Sequence, residues 1–349
     1  MAGGTNSLCR REFLGILAAG GAVLGLSKYG SLSAWADSMK ATDKTEWFRR
    51  AGWGVFCHYL GYKETTEEWN ARVDAFDVNR LAGQLKSVGA RYFFLTIGQN
   101  SGHYCSPNAT YGSIVGISAS KCSRRDLIAD LADALDKVGV RLMVYLPAGA
   151  PENDPIAVAK LHWERGQYGK PLGKRLADFQ RMWEAIIRDW SLRWGRKIHG
   201  WWIDGCYWPD DMYRFDDPPN FASFAAALKA GNPDAIVAFN PGVKVPVISI
   251  TDQEDYTAGE LAEALFVPDW PQENALVHGP HRIAKAQFHV LAYLGVAWGK
   301  APPRFPDEMV TGYTKCICGH GGVISWEVPW SDEGIPPVFL HQLGLLKGL

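Results

Sequence analysis

Hydrophobic and polar residues alternate along the chain in a repeated unit of amphipathic helix, glycine turn and short apolar strand. The first clear copy places Leu81, Leu85 and Val88 on one helix face, ends at Gly89 and continues into the apolar run 91–97. Three further copies give predicted strands at 141–146, 198–204 and 235–239. Apolar strands separated by helices are typical of a parallel sheet that is covered by helices.

Further apolar runs bring the number of predicted strands to about eight. They lie at 54–59, near 255–257, between 290 and 298, and at 323–326. Eight such units in a chain of this length predict a single-domain α/β fold, a (β/α)8 TIM-like barrel. An open doubly wound sheet is the alternative. It requires a glycine-rich phosphate turn after the first strand, and residues 58–62 do not provide one.

The first 36 residues have the pattern of an export signal. Arg10 and Arg11 precede a Gly/Ala-rich apolar run, and small residues surround a cleavage position before Asp37. The pattern predicts a twin-arginine signal in residues 1–36 and a periplasmic or secreted protein, with 37–349 as the folded domain. Because the apolar run is short for a bilayer, no stable membrane insertion is expected.

Charge and cysteine usage narrow the possible partners. A formal net charge of -1 leaves no excess of positive charge for nucleic acid. Export would permit disulfides, and Cys105 and Cys122, which flank a polar loop, are the candidate pair. The series Cys316-x-Cys318-x-His320 matches no standard zinc spacing, so neither a metal nor another cofactor is expected.

Polar and aromatic residues follow nearly every predicted strand, which is where active-site residues project in a barrel. They are His58, Gln99, Asn100, Tyr145, Trp202, Asp204, Asn240, Glu254, Asp255, Glu260, Trp298, Trp326 and Glu327. The set contains no cluster of Arg or Lys for a phosphate. Aromatic faces combined with amides and carboxylates indicate a neutral carbohydrate substrate.

Glycoside hydrolysis requires two carboxyl groups in different environments. Asp204, at the end of an aromatic strand, is the candidate for the ionised one, although a turn aspartate fits equally well. Glu260 and Glu254 compete for the role of acid, and Glu327 is third. Each has a structural alternative: Glu260 would begin a helix over 261–265, Glu254 would be a solvated loop acid, and Glu327 would accept from a buried backbone amide.

Several short motifs occur in an order that is found in one family of glycosidases. They are G-V-F-C-H-Y-L-G at 54–61, Glu68-Trp69, L-T-I-G-Q-N-S-G-H at 95–103, Arg125-Asp126-Leu127, W-I-D-G at 202–205, D-Y-T-A-G-E at 255–260, Trp298-Gly299 and Gly321-Gly322. Over about residues 46–330 the chain therefore resembles the α-L-fucosidases of glycoside hydrolase family 29.

The resemblance implies a retaining exo-glycosidase that hydrolyses a terminal deoxysugar or related pyranoside through a covalent intermediate on Asp204. It also implies that His58, Glu68 and Trp69 contact the sugar and that Trp202 lies beside it. Two alternatives stay open: a carbohydrate-binding barrel that has lost its acid/base and no longer hydrolyses, and a barrel hydrolase or lyase of another kind.

The chain departs from the family pattern at two places. The family's adjacent histidines are replaced by Gln99 and Asn100, whose amides donate and accept but carry no charge, so the identity of the sugar is left open. The position nearest to the family's acid/base, around 287–289, offers no carboxylate. Glu260 is the expected substitute.

Overall fold

The computed structural model describes residues 44–164, 171–267, 286–331 and 333–349, so the predicted signal at 1–36 lies outside the described residues. The strands are β1 (Trp53–Cys57), β2 (Tyr92–Thr96), β3 (His103–Tyr104), β4 (Lys121–Cys122), β5 (Arg141–Pro147), β6 (Ile198–Asp204), β7 (Ile236–Phe239), β8 (His289–Tyr293), β9 (Gly295–Ala297), β10 (Lys300–Pro303) and β11 (Val323–Glu327). Seven of them form one curled parallel sheet in the order β7-β6-β5-β2-β1-β11-β8.

Helices alternate with these strands. They are α1 (Glu46–Ala51), α2 (Thr66–Asp74), α3 (Val78–Val88), α4 (Ala109–Val115), α5 (Leu127–Asp136), α6 (Pro155–Lys160), α7 (Ala177–Trp194), α8 (Pro209–Met212), α9 (Phe221–Leu228), α10 (Asp307–Gly319) and α11 (Pro337–Gly344), with a 3-10 turn at Gly195–Lys197. The four predicted helix–strand units are confirmed. In the first, Asp77 accepts from the Arg80 amide as N-cap, and Gly89 ends the helix with a φ of 81°.

Side chains of the sheet alternate between two apolar layers, as the period of two in a strand requires. On β6, Trp201 packs in the layer between sheet and helices, whereas Trp202 packs inside the curl of the sheet. The inner layer is tightly filled. A Cβ added at Gly200 would lie 2.3 Å from the Met143 methyl, which explains the glycine in an otherwise aromatic strand.

Residues 255–261, here called the bridging segment, run between the two edge strands of the sheet. The Asp255 amide donates to the Val237 carbonyl of β7 at 2.9 Å, and the Leu261 amide donates to the Leu291 carbonyl of β8 at 2.8 Å. Its backbone makes only isolated bridges, at Tyr256 and Glu260, so the strand predicted near 255–257 is irregular. The helix over residues 261–265, which was the structural alternative for Glu260, is not formed.

The cysteine expectation is corrected by the structure, in which Cys105 and Cys122 are free thiols. Tyr104 pairs with Cys122 across the β3–β4 ladder, so Cys105, the next residue, points to the opposite face. The Cys105 thiol donates to the Thr96 carbonyl at 3.5 Å. Among the described residues no cluster of His, Cys, Asp or Glu is arranged to hold a metal. None of their helices is long and apolar enough to span a bilayer.

Gly259 tests the packing of the bridging segment. Gly259→Ala is expected to lower the free energy of unfolding by roughly 3 kcal/mol. The backbone there has a φ of +60°, and an added Cβ would lie 1.9 Å from the His289 carbonyl oxygen. Urea denaturation measures the change.

The matched control is Gly83→Ala on α3, where nothing lies within 4 Å of an added Cβ. We expect it to stabilise the protein by about 0.5–1 kcal/mol. A Gly259→Ala protein as stable as the wild type would contradict the described contact with β8.

Candidate active site

A cleft of about 630 Å3 lies at the C-terminal ends of the sheet strands. The predicted site residues that line it are His58, Gln99, Tyr145, Trp202, Asp204, Glu260 and Trp298. The structure therefore brings together residues from six separate parts of the chain, as expected for strand ends of a curled parallel sheet.

The period of two explains why these side chains point inward. Met143 and Tyr145 on β5, and Gly200 and Trp202 on β6, face the inner layer. Asp204 continues the inward series of β6 by one more step and reaches the cleft. The aromatic run thus ends in a carboxylate at the floor of the cleft.

Four donors hold the Asp204 carboxylate. The Tyr145 hydroxyl donates to Oδ2 at 2.6 Å. The Gly205 amide and the Asn240 side-chain amide donate to Oδ1 at 2.8 and 2.9 Å, and the Tyr207 hydroxyl lies 3.3 Å from the same oxygen. Donors to a carboxylate stabilise its ionised form and fix its orientation.

Asn240 connects Asp204 to Glu260. Its Nδ2 donates to Asp204 Oδ1 at 2.9 Å and to Glu260 Oε2 at 2.7 Å. Its Oδ1 accepts from the Gly242 amide at 3.1 Å, which fixes the orientation of the side-chain amide. Because the two N–H bonds of an amide diverge by roughly 120°, near-linear hydrogen bonds of these lengths would set the two accepting oxygens roughly 5 Å apart.

The two carboxyl groups have different environments. Burial, together with the nearby negative charge of Asp204, raises the pKa of Glu260 to about 7, and the hydrogen bond from Asn240 opposes the rise. Burial and the Asp204 charge also raise the pKa of Tyr145 well above its usual value, so this residue stays a neutral phenol. The site therefore combines a carboxyl group of raised pKa, Glu260, with a second one, Asp204, that has four dedicated donors.

Glu327 orients His58 on the opposite wall. Glu327 is fully buried and its Oε1 lies 3.0 Å from His58 Nδ1 and accepts from the Gly299 amide at 2.8 Å. A carboxylate only accepts, so Nδ1 carries the proton and Nε2 is the other ring nitrogen available to a ligand. Glu327 does not line the cleft, and its alternative role as acceptor from a backbone amide is confirmed.

The two amides at the histidine positions of the family occupy different places. Gln99 Nε2 donates to the Tyr145 hydroxyl at 2.6 Å, which leaves the phenol proton for Asp204. Asn100 lines an adjacent hollow and not the main cleft. Trp202 stacks on Tyr145 with ring centroids 5.5 Å apart, and Trp298 lies 5.7 Å from the His58 ring.

Two residues expected to contact the sugar lie away from the cleft. Glu68 accepts from the Thr65 amide and hydroxyl in the capping box of α2. Trp69 is fully buried and donates through Nε1 to the Tyr104 carbonyl at 3.1 Å. The expectation for Glu68 and Trp69 is therefore corrected: the first caps a helix and the second packs in the outer layer.

Glu254 is neither a sugar contact nor a solvated loop acid. It is buried, and its carboxyl accepts from the Phe239 and Ile250 amides at 3.0 and 2.8 Å and from the Ser249 hydroxyl. Burial raises its pKa to about 7, which these donors oppose. Glu254 lies behind the cleft, and its hydrogen bonds to the Phe239 and Ile250 amides hold the loop that begins with Asn240.

Asn240 and Tyr207 contact Asp204, but no motif in the sequence assigns them that role. The available signal for Asn240 is its position directly after the apolar strand β7, where it continues the inward series of Ile236 and Ala238. Tyr207 follows the Asp204 turn, and its ring packs where a Cβ on Gly242 would lie. That contact is not encoded in any local pattern.

The chain is similar in fold to many solved structures, of which three are described here. The endo-fucoidan hydrolase MfFcnA4 of glycoside hydrolase family 107 superposes with a TM-score of 0.68 at 17% identity, covering 87% of this chain and 53% of that one. The α-L-fucosidase isoenzyme 1 from Paenibacillus thiaminolyticus gives 0.56 at 16%, covering 87% and 74%. The α-L-fucosidase AlfC from Lactobacillus casei, in complex with α-L-fucose product, gives 0.57 at 14%, covering 87% and 97%.

These likenesses concern the fold. The chain spans about half the length of the family 107 structure that it matches. No curated protein sequence matches the chain. The family model for α-L-fucosidase matches residues 32–242, which is more than half of the chain and includes β1 to β7 with Asp204 and Asn240. The chain therefore belongs to the α-L-fucosidase family.

Proposed function

We propose that the protein is a retaining glycosidase that removes a terminal α-L-fucosyl residue, or that of a related pyranoside, from a carbohydrate. The observation that carries the proposal is the Asn240 amide, which donates to both Asp204 and Glu260 and so holds the two carboxyl groups close together. Retaining glycosidases place their two carboxyl groups about 5–5.5 Å apart, and inverting enzymes place them farther apart to admit a water.

The two carboxyl groups take the two roles of a retaining mechanism. Asp204 attacks the anomeric carbon and forms a glycosyl ester, while Glu260 gives its proton to the departing glycosidic oxygen. Glu260 then removes a proton from water, which attacks the same carbon and releases the sugar and Asp204. The raised pKa of Glu260, to about 7, keeps it protonated for the first step.

The remaining lining groups suit a sugar. Trp298 and Trp202 offer aromatic faces, and His58, fixed by Glu327, offers a ring nitrogen to a hydroxyl.

We also propose that the bridging segment takes the place of an eighth strand and completes the seven-stranded sheet as a (β/α)8 barrel. Its hydrogen bonds to β7 and β8 support this proposal.

Export directed by the N-terminal pattern in residues 1–36 is proposed from the sequence alone.

A barrel that binds carbohydrate without hydrolysis is the weaker account. The absence of a carboxylate at the family's acid/base position favours it. The presence of Glu260 in the cleft, with a raised pKa and beside a second carboxyl group, supports catalysis over simple binding.

Asp204 is expected to form the covalent intermediate. Incubation with 2-deoxy-2-fluoro-α-L-fucosyl fluoride should add one fluorosugar, and mass spectrometry of the digest should locate it on Asp204. Asp204→Asn should lower kcat/KM for aryl α-L-fucosides by at least about 10³-fold. NMR should show that the first-formed sugar keeps the anomeric configuration of the substrate.

The matched control is Asp210→Asn, the same change at a carboxylate that is 77% exposed and paired with Arg214. Its kcat/KM should stay within about twofold of the wild type. A first-formed sugar of inverted configuration, or label on another residue, would refute the role of Asp204.

Glu260 is expected to set the alkaline limit of activity. The acid works when protonated, and its pKa is raised to about 7, so kcat/KM should fall as the pH rises through about 7. Glu260→Gln should abolish this decline and lower kcat/KM by roughly 10²-fold or more for substrates with poor leaving groups. An activated dinitrophenyl fucoside, which departs without a proton, should lose much less.

Glu254→Gln provides the matched control for this assignment. Glu254 is also buried with a pKa raised to about 7, but it lies outside the cleft. The decline above pH 7 should persist in the folded fraction of this variant. If the decline disappears in Glu254→Gln and stays in Glu260→Gln, the acid has been assigned to the wrong residue.

A further inference from the structure

The wall of the cleft opposite Asp204 carries a group of residues that the proposed reaction does not use. Asp204 ends β6. The bridging segment links the two edge strands of the sheet, and in this order β11 lies across from β6, with β7, the bridging segment and β8 on one side and β5, β2 and β1 on the other. The cleft residues here called the far wall come from the loop after β11, the loop after β1 and the start of β10, and they are Trp330, Ser331, Tyr62 and Lys300.

Trp330 is an aromatic surface that the protein holds in place. One face of its ring stacks on Phe76, with the two rings 9° from parallel and their centroids 4.6 Å apart. Phe76 is buried in the outer apolar layer, whereas Trp330 is partly exposed and lines the cleft. An indole that is already fixed loses little conformational freedom when a sugar packs against it.

Tyr62 adds a second aromatic ring, which is 70% exposed. The loop that carries it is tied on both sides by one guanidinium, because Arg72 donates to the Leu60 carbonyl and to the Glu64 carboxylate. The Tyr62 ring therefore stands at the cleft on a held loop without being part of the core. Its surface is available to a ligand in the cleft.

The far wall also offers polar groups. Lys300 is exposed, and its ammonium makes no ion pair with any residue that the structure describes. It can donate to hydroxyl oxygens. The Ser331 hydroxyl donates to the Gly334 carbonyl at 3.1 Å, which leaves its oxygen to accept from a ligand. Two aromatic surfaces with a donor and an acceptor are a combination typical of sugar binding.

The geometry of the reaction determines which part of a bound sugar faces the far wall. The anomeric carbon, C1, lies over Asp204, and the ring lies beside His58 and Trp298. C4 is across a pyranose ring from C1, and C3 is next to C4, so groups on O3 and O4 point away from Asp204. The leaving group departs toward Glu260, which is on the bridging segment between β7 and β8. A sugar attached to O3 or O4 therefore reaches the far wall, and the leaving group does not.

We propose that the cleft also accepts an internal fucosyl residue, which carries a second neutral sugar on O3 or O4, and that the far wall binds this second sugar. The proposal rests on the proposed function, because Asp204 orients the bound residue. It goes beyond that function, because the enzyme then cleaves bonds within a chain. Asp204 attacks C1 of the inner residue, Glu260 protonates the departing oxygen, and water releases the two sugars as an intact disaccharide.

The first test identifies the first-formed products of nitrophenyl glycosides. The substrates are nitrophenyl α-L-fucoside and two disaccharide glycosides in which a second α-L-fucosyl residue is linked to O3 or to O4 of the first. Cleavage within the chain releases nitrophenol and intact disaccharide, whereas removal of the terminal residue releases fucose and nitrophenyl fucoside. Chromatography of early samples should show intact disaccharide from at least one of the two linkages.

The failures of the two proposals are distinguishable in this test. Cleavage of nitrophenyl fucoside without intact disaccharide from either linkage would overturn the far-wall proposal and leave the proposed function in place. Failure to cleave any of the three glycosides would refute the proposed function itself.

Tyr62→Ala and Trp330→Ala test whether the far wall binds the second sugar. The measured quantity is the ratio of kcat/KM for release of the disaccharide to kcat/KM for nitrophenyl fucoside. We expect this ratio to fall about three- to tenfold in Tyr62→Ala and about tenfold or more in Trp330→Ala. The ratio cancels any loss of folded protein, which matters for Trp330 because it packs on Phe76.

The matched control is Ile117→Ala, a truncation of a large side chain that is 88% exposed and does not line the cleft. Its ratio should stay within about twofold of the wild type. A ratio that is unchanged in both Tyr62→Ala and Trp330→Ala would overturn the assignment of the second sugar to the far wall.

Discussion

The site depends on one side-chain amide that lies between two carboxyl groups. Two full charges about 5 Å apart would repel by roughly 3 kcal/mol at an effective dielectric constant of about 20. Asn240 gives one N–H to each group, which compensates part of this repulsion and fixes the spacing. Tyr145, Gly205 and Tyr207 donate to Asp204 alone, so the negative charge is stabilised there and the proton stays on Glu260.

Much of this arrangement could be predicted because it follows from local patterns. The spacing of Leu81, Leu85 and Val88 with the Gly89 stop predicts a helix before any tertiary contact is known. The aromatic run that ends at Asp204 predicts a buried strand, and parallel strands bring their C-terminal ends together. The positions of the strand ends therefore predict that Asp204, Tyr145 and Glu260 lie close together, without any knowledge of their hydrogen-bond partners.

The sequence predicts the wrong role for residues whose role depends on a partner that is distant in the chain. Glu68 follows Thr65 by three residues, and the reciprocal capping box of these two side chains accounts for it without a sugar. Glu254 and Glu327 lie near strand ends as catalytic acids do, but Glu254 accepts from the Phe239 amide, and Glu327 Oε1 accepts from the Gly299 amide. Cys105 and Cys122 flank one loop, yet their ladder turns them to opposite faces. No sequence spacing distinguishes these outcomes.

Gln99 departs from the family motif, and its amide changes the chemistry at that position. An imidazole at this place would titrate near neutral pH, whereas the Gln99 amide keeps one charge state. Since its Nε2 donates to Tyr145, the phenol has one remaining role, which is to give its proton to Asp204 Oδ2. The hydrogen-bonded series from Gln99 to Asp204 thus stays the same over the pH range in which Glu260 titrates. Protonation of Glu260 can therefore change without changing the hydrogen bond by which Tyr145 holds Asp204.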